Sequence, residues 1–145
     1  MAIVNDDIIL LSEFQHVLQT AKDPGSPASR FKLLNNMIDN MLLLNEAKRY
    51  RTGASDKPDK IEEDNSIIIG EYIDRRIKAL IHVPYEAIEN YYQMNLELYR
   101  DKDIIDVRDE IEARLVETEL RTKLREFIDG LRKKAYIRIQ LNEHD

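Results

Sequence analysis

The sequence has 145 residues, 43% hydrophobic and 34% charged, with a net charge of −6, 4 Gly, 4 Pro and no Cys. That composition is globular and too poor in turn residues for a β-sandwich or barrel, and it excludes disulfides, thiolate zinc sites and cysteine nucleophiles. The acidic balance opposes a nucleic-acid partner, and no apolar run reaches the roughly 18 residues that suggest a membrane span.

Residues 2–10 place two β-branched clusters on either side of Asn5-Asp6-Asp7. This predicts a short strand containing a turn or bulge, because Asn and Asp tolerate turn backbone. Ser12-Glu13-Phe14-Gln15 has the capping-box pattern for a first helix, with Phe14, Val17, Leu18 and Ala21 as its apolar face. Asp23-Pro24-Gly25 ends that helix. Ser26 as cap and Pro27 as the first helical residue begin a second one. Along it Phe31, Leu34, Met37, Ile38, Met41 and Leu42 recur at helical steps, and Met41-Leu42-Leu43-Leu44 is apolar around the whole axis. A helix apolar on all sides is central to its fold. It should run to about Arg51 and stop at Gly53. Residues 52–65 are polar and charged, and are expected to form a long mobile loop.

Ser66 is expected to cap a third helix striped by Ile69, Ile73, Ile77, Leu80 and Ile81. Pro84 disfavours helix at Val83 and opens a fourth helix, reaching about Arg100 and carrying Ile88, Tyr91, Tyr92, Leu96 and Tyr99. Asp103 caps the last and longest helix, whose stripe runs from Val107 through Ile111, Leu115, Leu124 and Ile128 to Leu131. From Tyr136 to Leu141 the period changes to two, which is a strand pattern. A lone strand is unstable, so the two ends of the chain should pair. The fold expected is mainly α. It is a single domain over 1–145, with about five helices closed by a small two-stranded sheet made from the N- and C-terminal segments.

Catalytic patterns are missing. His16, His82 and His144 form no metal-ligand spacing, and the four glycines lie singly, with no phosphate loop. Acidic residues alternate with Lys and Arg as on a solvated helix face, and Ser12 and Ser66 read as caps. The short basic clusters, such as Arg132-Lys133-Lys134, sit where cations complement helix C-termini. No enzyme activity, metal or cofactor is expected. What remains is surface. Tyr91, Tyr92, Met94 and Tyr99 cluster on the fourth helix, and Met37 and Met41 lie on the second. Such side chains adapt to varied apolar partners. They are either core or the lining of a groove for extended or helical clients.

The ends of the chain resemble a known family. Ala2-Ile3-Val4-Asn5-Asp6-Asp7-Ile8-Ile9, followed by Ser12-Glu13-Phe14, is similar to the mature start of SurA-like periplasmic chaperones. The segment from Met37 to Ala47 looks like that family's Leu/Ile-rich second helix, and Val83-Pro84-Tyr85-Glu86 through Tyr91-Tyr92 looks like a later helix start. Val107-Arg108-Asp109-Glu110-Ile111, and then Leu131 through Ala135 to Ile139, is similar to its closing helix and strand. The similarity spans nearly the whole chain outside residues 52–65. Pro84 stands where the family carries a Ser or Thr cap.

Family members usually insert parvulin-type prolyl isomerase domains after the Tyr-Tyr helix. Here Tyr92 is followed within about a dozen residues by the closing helix, too few for a domain. Isomerase activity is therefore not carried over. The resemblance implies a holdase chaperone for unfolded, often outer-membrane, polypeptides, located in the periplasm. It also implies a secretion signal upstream of Met1. The opening residues themselves have neither a basic nor an apolar leader region, which fits either a cytosolic protein or a mature N-terminus. From the residues alone the alternative is a helical adapter with one fixed partner, open to forming a domain-swapped homodimer.

Overall fold

The computed structural model describes residues 1–21, 26–54 and 64–140. It is mainly helical, with five α-helices and a small antiparallel sheet. The sheet has three strands rather than two. Strands β1 (Ala2–Val4) and β2 (Asp7–Ile9) are separate, and β3 is Ile137–Ile139. Asn5 takes a left-handed φ of 55° in the two-residue loop, so of the turn or bulge expected there it is a turn, and the N-terminal segment folds back as a hairpin. The order is β2-β1-β3, with Ile3 opposite both Ile8 and Arg138. The two ends of the chain therefore pair, as the alternating pattern required.

Helix α1 (Leu11–Thr20) starts two residues earlier than a Ser12 cap would place it. Leu10 occupies the cap position and has no side-chain acceptor, so Ser12 is not the cap. The Glu13 carboxylate instead accepts from the Leu10 N–H at 2.8 Å, which is half of a capping box. Helix α2 (Pro27–Ala54) begins as expected, with the Ser26 hydroxyl accepting from the Ser29 N–H at 3.1 Å. It passes through Gly53 and takes in residues 52–54 of the expected loop. Residues 55–63 of that loop lie outside the described residues. Helix α3 (Asn65–Arg76) is capped by Asp64, not Ser66. The Asp64 carboxylate accepts from both the backbone N–H and the hydroxyl of Ser66, and these bonds hold its pKa below the usual value. A single 3-10 turn follows at Lys78–Leu80. Helix α4 is Tyr85–Met94 and α5 is Ile104–Lys134.

The chain divides into two compact units, 1–70 with 127–145 and 71–126. In the first unit, Ala2, Val4 and Ile9 on one face of the sheet meet Phe14 of α1 and Leu34, Ile38 and Leu42 of α2. Fully burying side chains of this size contributes about 1.5–3 kcal/mol each. Leu42 and Leu43 are both buried although adjacent residues point about 100° apart, which makes α2 central to this unit. Ile137, Ile139 and Leu131 pack against the same core. Arg132 of α5 clamps Asp39 and Asn35 of α2, with the Arg132 and Asp39 side chains only 27% and 13% exposed. The second unit has its own smaller core of Ile88, Tyr99, Val107 and Ile111, flanked by Val83, Tyr91, Tyr92 and Leu115.

Candidate functional site

The expected client-binding residues divide between the units. Met37 and Met41 are half-buried and pack on the core of the first unit. The other four belong to the second unit, and the local end of α4 decides their placement. Asn95 turns its side chain back to donate to the Tyr91 carbonyl at 2.8 Å. Its own N–H donates to the carbonyls of Tyr91 and Tyr92. Asn competes for backbone groups in this way, and so α4 stops at Met94 rather than near Arg100.

Residues 95–101 wind through successive turns, with the Leu98 N–H on the Asn95 carbonyl and the Tyr99 N–H on the Leu96 carbonyl. That winding carries Tyr99 inward. Its ring stacks on Tyr92 at 5.8 Å between centroids and 18° between planes. The Tyr92 hydroxyl donates to the Lys102 carbonyl at 2.8 Å, which ties α4 to the start of α5. Tyr91 beside Arg114 is the main reason the guanidinium pKa is raised. Arg108 sits over the Tyr85 ring at 5.5 Å, a cation–π contact. Tyr91, Tyr92 and Tyr99 are thus braces of this unit. Tyr99 is core, and its buried hydroxyl has no partner among the described residues. Burial pushes its phenol pKa up.

Several apolar side chains of this unit are open to solvent. Met94 is 85% exposed, Leu98 68%, Ile105 77% and Leu80 81%, with Leu96 and Tyr85 about half exposed. Of the expected residues only Met94 belongs to this set. Leu80 reads in sequence as the tail of a helical stripe, but α3 ends at Arg76 and the 3-10 turn puts Leu80 outside. Leu98 and Ile105 were not singled out in the sequence. For Ile105 a signal existed: Ile104 and Ile105 open α5 side by side, and adjacent helical residues cannot share one face.

A cleft of about 760 Å³ lies in the first unit, where Asn5, Asp6, Asn45 and Lys134 surround a floor that includes Leu42 and Leu131. Its lining mixes both charges, including Glu46 and Arg49, with no histidine among them. Among the described residues no three His, Cys, Asp or Glu side chains gather as a metal site. His16 and His82 are exposed, and His144 lies outside the described residues. No described helix is long and apolar enough to cross a membrane. The chain matches no family model and no curated protein.

Proposed function

We propose that this protein is a holdase-type chaperone module that takes unfolded polypeptides, outer-membrane proteins among them, on the second unit. The reading includes a periplasmic location and no enzymatic step, and it joins the SurA-like resemblance of the chain ends to one structural observation. Within the twelve residues 94–105, Met94, Leu96, Leu98 and Ile105 all face solvent while Tyr99 alone is buried. Exposed apolar side chains gathered in one segment and rimmed by charge mark an interaction surface. Here Glu97 lies between Leu96 and Leu98, and the charged run Arg100-Asp101-Lys102-Asp103 lies between Leu98 and Ile105. Apolar burial is non-directional and suits capture of many different sequences. Met adds a side chain that repacks against different partners.

The test is client breadth. Chemically unfolded clients of at least two unrelated folds are diluted into buffer with the protein, and light scattering is followed. A holdase lowers the scattering of all of them at near-stoichiometric ratio. Protection of none, or of one client alone, contradicts the proposal and favours an adapter with a fixed partner.

A further inference from the structure

The three-stranded sheet is apolar on both faces, and only one of them is covered by the core. Ala2, Val4 and Ile9 point inward and are buried. The alternation of strand side chains and the register place Met1 with Leu10, and Ile3 with Ile8 and Arg138, on the opposite face, where Tyr136 also lies. Met1, Ile8, Leu10 and Tyr136 are exposed there.

Among the described residues, nothing pairs with the edge beside this face. Met1 and Gln140 exchange backbone bonds at 2.9 and 3.2 Å, and the Asn5 N–H donates to the Tyr136 carbonyl at 2.8 Å. Bonded pairs alternate in an antiparallel ladder, so Arg138 bonds Ile3, while the N–H and C=O of Ile137 and Ile139 point away from β1. No described residue bonds to those four groups.

We infer that β3 is a strand-addition site: an extended polypeptide segment with an acidic residue between two β-branched ones pairs with its outer edge. The ladder groups of Ile137 and Ile139 supply up to four backbone hydrogen bonds. The acidic residue lies opposite Arg138, which is exposed and has no ion-pair partner among the described residues. Opposite charges directly across a ladder attract, and like charges repel.

A second copy of the chain fits poorly. The sheet face measures on the order of 10 by 14 Å, against roughly 800 Å² per partner in a stable interface. Edge-to-edge pairing of two β3 strands that used both Ile137 and Ile139 would set Arg138 opposite Arg138 of the second copy. The site lies in the first unit and does not rest on the holdase reading, whose surface lies in the second.

The experiment uses the full chain and two fluorescein-labelled probes, the acetylated and amidated peptides TVEVT and TVKVT. Saturable binding of the acidic peptide is expected by fluorescence anisotropy. Amide exchange followed by NMR should slow at least about tenfold at Ile137 and Ile139 on saturation, with Arg138, already bonded to β1, little changed. Arg138→Glu, whose melting temperature is checked first, should weaken the acidic peptide about fivefold and favour the lysine peptide by a similar factor. Several results overturn the inference. They are no saturable binding, unchanged exchange at Ile137 and Ile139, protection of both amides before any peptide is added, and an Arg138→Glu protein that keeps the original preference. The exchange result stands on the unmodified protein if that variant does not fold.

Discussion

The two units solve the problem of a small core differently. The first joins segments from both ends of the chain, and its buried set includes Val4, Phe14, Leu34 and Ile38, none of which retains any exposure. The second is built from 71–126 alone around the cluster of Ile88, Tyr99, Val107 and Ile111, with Tyr72 and Ile77 also buried, and it leaves Leu80, Met94, Leu98 and Ile105 largely in water. Long-range strand pairing and the Arg132 clamp hold the first unit. Tyrosine braces hold the second. Under the proposed holdase role, the aliphatic side chains outside the second unit meet the clients while the first unit stays folded.

Cavities should separate the two units most clearly. Phe14→Ala should destabilise the first unit by about 3–5 kcal/mol, and Ile111→Ala the second by about 2–5 kcal/mol. Denaturant unfolding followed by amide exchange should show each loss first in the unit that carries the mutation. Simultaneous loss throughout the chain would mean that the two units behave as one.

Next in size is the clamp. Arg132→Ala leaves the Asp39 carboxylate, only 13% exposed, without its guanidinium, and should cost about 1.5–3 kcal/mol in urea unfolding. A change below about 0.5 kcal/mol would reduce the clamp to a surface pair.

Tyr99→Phe is smaller and of the opposite sign. The buried hydroxyl has no described partner, so its removal should be neutral or stabilising by up to about 1 kcal/mol. The pH dependence follows from the same burial, which raises the phenol above its ordinary value of 10.0. Unfolded chains then release the proton first, so stability is full below pH 10 and falls as pH rises beyond it. In Tyr99→Phe that alkaline loss should shrink. An unchanged alkaline limb in a melting series would assign it to other groups.

Much of this fold is legible in the sequence because its signals are periodic. The stripe from Val107 to Leu131 became one helix, and the alternation after Tyr136 became β3. Competing local hydrogen bonds decided what the periodicity missed. Asn95 ended α4 early, Asp64 took the cap from Ser66, and Asn5 split one expected strand into a hairpin. The candidate surface depended on those details. Tyr99 looked equivalent to Met94 on a helix reaching Arg100, and became core once the chain left the helix at Asn95.

The most direct test of the account is a variant in which Met94, Leu98 and Ile105 are all changed to Ser. All three are exposed, so the melting temperature should stay within about two degrees of the parent. Aggregation of two unrelated unfolded clients should no longer be suppressed. If the variant folds as the parent does and still protects both clients, the second unit is not the client-binding surface.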